Sequence, residues 1–179
     1  MNVVLSATTC SSECPRGDLR LDSGSRRWLP LKGKTQLVFT TRSGVATSFV
    51  LRVVDTLQAY SKLADCSGNY FYEYINADLY LNTAKSDSIH CAMASASHLT
   101  LIANSDSKYS MGYVSLLSPL SSSSSETRYV SLKIGNRTYS DVILATSLVS
   151  DGNTVDSIYL AYNYGVVGFN YHKEKYFLR

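Results

Sequence analysis

The residues that could do chemistry in this 179-residue chain are few and dispersed. Four cysteines stand at Cys10, Cys14, Cys66 and Cys91, and three histidines at His90, His98 and His172. Nucleophilic catalysis needs a thiol or hydroxyl within hydrogen-bond reach of a base. His90 adjoins Cys91, but neighbours on a strand point to opposite faces, so an extended segment keeps the two apart. His98 shares a strand face with His90 only if Ala94-Ser95-Ala96-Ser97 is not a turn. No two carboxylates form a motif for paired acid–base work on a glycosidic bond. Glu73 and Asp141 fall in alternating segments whose pattern turns both toward solvent. There is no G-x-S-x-G, no phosphate-cradling glycine loop and no H-E-x-x-H, and the cysteines lack metal-ligand spacing. On this reading no catalytic residue, metal ligand or cofactor is assigned. A hydrolase would have to use an unrecognised Cys/Ser–His site.

Tyrosine is the remaining candidate, with 14 copies. Tyr70, Tyr72, Tyr74 and Tyr80 share one face if their strand is regular, and Tyr159, Tyr162, Tyr164 and Tyr171 crowd the C-terminal segments. Such rows offer flat apolar area with a hydroxyl at the rim, which suits a sugar, a peptide or a lipid. The same rows also arise from ordinary cross-strand aromatic packing on a twisted sheet.

The elements that must carry these residues are strands. Charged residues make up 17% and apolar residues 45%, the balance of one ordinary globular domain. A net charge of +3 is too small and too scattered to argue for nucleic acid. No window approaches the roughly 18 to 20 apolar residues that a membrane helix needs. Alternation or strand-type composition marks residues 36–41, 45–54, 69–81, 98–103, 108–117, 129–134, 137–147, 155–164, 166–172 and 176–178. Gly135-Asn136 fits a two-residue primed turn. Gly165 and Gly168 permit a bulge or bend where the last strands curl. Residues 54–64 read as a short helix, with Asp55 as cap and Leu57, Tyr60 and Leu63 at helical spacing. Ser118-Pro119-Leu120 and the serines through Ser125 read as a loop inside one domain. The fold expected is all-β: a single antiparallel, strongly curved sheet or open barrel or sandwich of about nine or ten strands, with at most one or two short helices.

Val3-Val4-Leu5-Ser6-Ala7-Thr8-Thr9-Cys10, followed by the polar stretch from Ser11 to Asp18, resembles the end of a bacterial lipoprotein signal peptide. That resemblance implies a diacylglycerol on the Cys10 thiol. Trp28-Leu29-Pro30, Leu37-Val38-Phe39 and Ser43-Gly44 resemble the opening of exported lipoproteins of Bacteroidota. Their closing segments are similar to Arg137-Thr138-Tyr139-Ser140-Asp141-Val142-Ile143, Ile158-Tyr159-Leu160-Ala161-Tyr162 and Tyr164-Gly165-Val166-Val167-Gly168-Phe169. The resemblance divides the chain into a truncated export signal and polar tether (1–27) and one all-β domain (28–179). It implies a protein of the periplasm, outer membrane or cell surface, held to the membrane by its lipid. Its partner would be another envelope protein, a glycan or a lipid. A weaker similarity to carriers with an open curved sheet implies an apolar ligand instead. With Cys10 as anchor, three cysteines remain. Cys66 with Cys91 is one candidate disulfide, Cys14 with Cys66 another, and small buried thiols are a third reading.

Overall fold

The computed structural model describes residues 20–60, 70–81, 87–94, 98–105, 108–115, 124–147 and 155–179. Alternation in the sequence becomes six strands in the first half: β1 (Gly33–Thr41), β2 (Ala46–Tyr60), β3 (Tyr70–Tyr80), β4 (Ser88–Ala94), β5 (His98–Ser105) and β6 (Lys108–Ser115). Five follow: β7 (Ser124–Ile134), β8 (Arg137–Ser147), β9 (Val155–Ala161), β10 (Gly165–Tyr171) and β11 (Glu174–Leu178). A four-residue helix, α1 (Ser23–Arg26), precedes them. The all-β expectation is met, with β4 as the strand that residue types did not announce.

The helix expected over residues 54–64 is corrected within the described residues, because β2 continues as strand through Tyr60. Val53, Val54 and Thr56 are β-branched and favour extended backbone. Each residue from Val50 to Tyr60 also has a partner on β3, from Val50 opposite Tyr80 to Tyr60 opposite Tyr70. A run of 11 paired positions outweighs one candidate cap and three apolar residues at helical spacing.

All the strands form one antiparallel sheet in the order β6-β5-β4-β3-β2-β1-β11-β10-β9-β8-β7. The first and last strands of the chain are therefore neighbours, with Phe39 opposite Leu178. Antiparallel pairing of β1 with β11 fixes the direction of every other strand. Counting outward from that pair, β6 and β7 run the same way. A closed meander with antiparallel pairs throughout needs an even number of strands, and this sheet has 11. The mismatch falls between β6 and β7, and there the sheet stays open although β6 comes near both β7 and β8.

Curling brings odd-numbered residues of β2 to β4 together on the inner face. Phe49, Leu51 and Val53 meet Ile75, Ala77 and Leu79, and then Ile89, Cys91 and Met93. From the other half, Ile143, Ala145, Ile158, Leu160, Phe169 and Tyr171 join the same cluster. Phe39 is fully buried and lies edge-on to Phe49 at 5.7 Å and to Phe169 at 5.1 Å. Tyr176 stacks on Phe169 at 5.0 Å. Burying rings of this size stabilises the fold by about 2–3 kcal/mol apiece.

A smaller second core lies on the outer face. The β7–β8 ladder skips one pair, Val130 with Asp141, and Asp141 takes φ +49. Its carbonyl accepts instead from the Tyr162 N–H at 3.1 Å. The hairpin tip thus lies against β10 and β11, burying Ile134, Tyr139 and Val142 with Ala161 and Val167. A Cβ on Gly168 would stand 3.0 Å from the Tyr176 carbonyl oxygen and 3.5 Å from Ile134 Cγ2, so the close approach needs glycine. The register of β10 on β9 shifts between Val166 and Gly168, the bulge expected there.

Residues 20–31 do not behave as a tether. Leu21 and Leu29 are buried in the inner core, and Asp22 caps α1 by accepting from the Ser25 N–H at 2.9 Å and its hydroxyl at 2.6 Å. These bonds hold the Asp22 carboxyl below its usual 3.8. The cap is therefore fully formed above that pH and is lost as the pH falls through the lower folded value. The folded unit begins no later than this segment, ahead of the boundary at residue 28 expected from the sequence.

Candidate functional site

A buried carboxylate, Glu73, faces inward near the start of β3, with the exposed carboxylate of Asp55 on β2 nearby. Glu73 lies on the same face as Ile75 and Ala77 and is 2% exposed, which corrects its reading as a solvent-facing residue. Its Oε2 accepts from the Leu21 N–H at 2.8 Å. Its Oε1 pairs with the Arg26 guanidinium, whose other nitrogen reaches Asp55 Oδ2 at 3.1 Å. The Asn163 N–H bonds the Arg27 carbonyl at 2.7 Å, and Trp28 meets Tyr162 edge-on at 5.4 Å. Residues 20–31 are thereby strapped across one end of the curl, from β3 to the β9–β10 turn. Glu73 is a fastening for that strap. Asp141 is exposed, at the skipped pair.

The structure separates His90 from Cys91, as alternation requires. His90 lies on the outer face, where its Nδ1 is 2.6 Å from Asp78 Oδ1, directly opposite in register. Cys91 points inward at 1% exposure and carries no disulfide, which runs against the candidate bridge to Cys66. Cys10, Cys14 and Cys66 lie outside the described residues. Burial, with a smaller contribution from Asp78, pushes the Cys91 thiol up to about 12. At pH 8 only about one thiol in 10⁴ is then thiolate, the reactive form. Iodoacetamide should leave Cys91 unmodified in the native protein and alkylate it in guanidinium, read by peptide mass spectrometry. Rapid native labelling would contradict the inward placement.

Among the described side chains, Tyr74, Tyr159, Tyr162 and Tyr164 lie on separate parts of the sheet. Tyr70, Tyr72 and Tyr74 lie on β3, five places in the sheet order from Tyr159 on β9. The side chains of Tyr70 and Tyr72 lie outside the described residues. Tyr74 is half-buried on the outer face. Tyr159 packs beneath the β7–β8 tip, where burial raises its hydroxyl above the usual 10. Tyr162 stands between Trp28 and the Arg27 guanidinium, 5.8 Å from its ring centre. Tyr164 is 46% exposed and meets Tyr139 edge-on at 5.1 Å. Each of these three C-terminal tyrosines has a packing partner.

What lies open is elsewhere. A groove of about 700 Å³ runs between the β1–β2 turn, the β7–β8 turn and the end of β11. It is lined by Thr40, Thr41, Arg42 and Gly44 from the first turn, and by Gly135, Asn136 and Arg137 from the second. Phe177, Leu178 and Arg179 complete it. Gly135 takes φ +59 and sits over Phe177, where a Cβ would come within 3.2 Å of the Phe177 Cβ. That contact sets the tip beside β11. Arg42, Arg137 and Arg179 are exposed, and among the described residues none of them forms an ion pair. Sequence reasoning missed this site. Its cations are single residues on separate elements, each ordinary where it stands.

A second hollow, beside the described inner core, is small. Under the strap, Leu29, Leu31, Leu51, Val53 and Val166 border a hollow of about 20 Å³, the size of a water molecule. Among the described residues no three potential metal ligands cluster, and no helix is long and apolar enough to cross a membrane. Comparisons of the chain with protein-family models, with curated proteins and with solved structures give no match.

Proposed function

We propose that the chain is an exported, lipid-anchored protein of the cell envelope that acts as a non-catalytic binding or accessory module, presenting its ligand surface on the outside of the curled sheet. The observation that carries the binding part is the contrast in free space. The hollow beside the described inner core, under the strap, holds about 20 Å³, whereas the open groove between the rim turns holds about 700 Å³. Ligand pockets commonly hold a few hundred Å³ or more. Small residues ahead of Cys10 and a polar stretch after it support export and acylation, as does the resemblance to exported lipoproteins of Bacteroidota.

A hydrolase is the other reading with an observation behind it, since Asp78 orients His90 as a base is oriented in a catalytic triad. Both lie on the outer face, however, away from the rim groove. Mass spectrometry of the membrane fraction of the native host tests the proposal. A mature N-terminal peptide starting at diacylglyceryl Cys10 is expected. Unmodified Cys10, still joined to residues 1–9 in the cytosolic fraction, would overturn export and anchoring.

A further inference from the structure

The rim groove has a chemistry more specific than exposure. We infer that it binds a compact ligand bearing two or more phosphate or sulfate groups, such as a phosphorylated or sulfated sugar. This deepens the binding-module reading and rests on it. Arg42, Arg137 and Arg179 are among the residues that line the groove, and among the described residues no Asp or Glu does; the Arg137 side chain also lies beside the Tyr139 hydroxyl. The described lining thus carries three cationic side chains and no anionic one.

Guanidinium forks match tetrahedral oxyanions with paired N–H donors, so separate arginines suit separate anionic groups. The remaining lining fits the rest of such a ligand. Thr40, Thr41 and Asn136 carry polar groups for hydroxyls, and Phe177 with Leu178 offers apolar surface to a ring face. Both turns are held by packing or hydrogen bonds. The Thr41 hydroxyl accepts from the Val45 N–H at 3.1 Å and bonds the Ser43 hydroxyl at 2.7 Å, while Gly135 rests on Phe177. The backbone that carries Arg42 and Arg137 is therefore fixed, which lowers the ordering cost of binding. The small groove and the whole-chain charge of +3 favour a compact anion over a nucleic acid.

Calorimetry on the purified chain tests this with sucrose octasulfate and inositol hexakisphosphate as probes. Neutral sucrose, a poly-glutamate peptide and phosphatidylglycerol vesicles serve as comparison arms. One-to-one binding of at least one compact ester is expected, weakening as salt rises from 50 to about 200 mM as counterion release requires. Arg42→Gln with Arg137→Gln should weaken it at least tenfold. Lys34→Gln with Arg52→Gln removes the same charge from β1 and β2 outside the groove and should weaken it less than threefold. No binding of either ester, an equal loss in both double variants, or binding confined to vesicles or poly-glutamate would overturn the inference. These outcomes leave the Cys10 result untouched, so failure of the groove and failure of export are separable.

Discussion

Phe169→Ala should lower the unfolding free energy by about 4 kcal/mol, within the range for removing a buried aromatic ring. Phe169 is fully buried on β10, edge-on to Phe39 and Phe49 and stacked on Tyr176 of β11. Those partners belong to β1, β2 and β11, so the ring packs across the junction where the chain's first and last strands meet. Its loss removes hydrophobic burial and leaves a cavity that the four-strand junction cannot easily close. In a chain of this size the melting temperature should fall by roughly 10 °C. Urea titration checks the free energy, with an unchanged slope showing that the unfolding unit is the same. A loss below about 1 kcal/mol would mean that the ring is not enclosed as described.

Arg26→Ala should cost about 3 kcal/mol, because it leaves the Glu73 carboxylate buried without its cation. Glu73 would keep one bond, from the Leu21 N–H. Arg26→Ala combined with Glu73→Gln should cost less than the sum of the single changes, since a neutral amide tolerates the site better. A coupling of at least about 1 kcal/mol is expected for groups in direct contact. The local effect should precede the global one. Trypsin should cut after Arg27 or Lys32 in the Arg26→Ala protein under conditions where the wild-type strap resists. Additive costs with unchanged proteolysis would contradict a strap fastened at Glu73.

Much of the architecture was legible because it rests on local alternation. Phe49, Leu51 and Val53 on β2, and Ile143 and Ala145 on β8, show period two in the sequence and face inward in the structure. Gly135-Asn136 marked its hairpin, with Gly135 alone of the pair at positive φ. Ser88-Ile89-His90-Cys91-Ala92-Met93-Ala94 was passed over as a strand. Its small residues carry little β preference, and β3 and β5 on either side supply the pairing that extends it. The Val54 region misled in the opposite sense, because local helical spacing competed with a long ladder that only β3 could provide.

The site was less legible for a physical reason. Glu73 looks like any polar residue of an alternating strand until Leu21, 52 positions away, is known to donate to it. Nothing near either residue encodes that contact. Arg42, Arg137 and Arg179 likewise border one groove only because β1 pairs with β11 and because the β7–β8 tip folds over Phe177. The tyrosines gave a clear sequence signal, but the described ones are dispersed, since residue type sets their affinity for strands and sheet order sets their distance apart.

Nuclear magnetic resonance mapping, with sucrose octasulfate and oleate added in separate titrations, tests the account at its centre, that ligands meet the outer rim while the interior stays filled. Sucrose octasulfate should shift the amides of residues 40–44, 135–137 and 177–179. Oleate should leave the methyls of Leu79, Ile89, Ile143 and Leu160 where they are. Movement of those inner methyls on adding oleate, with the rim amides unmoved by the sulfated sugar, would contradict it.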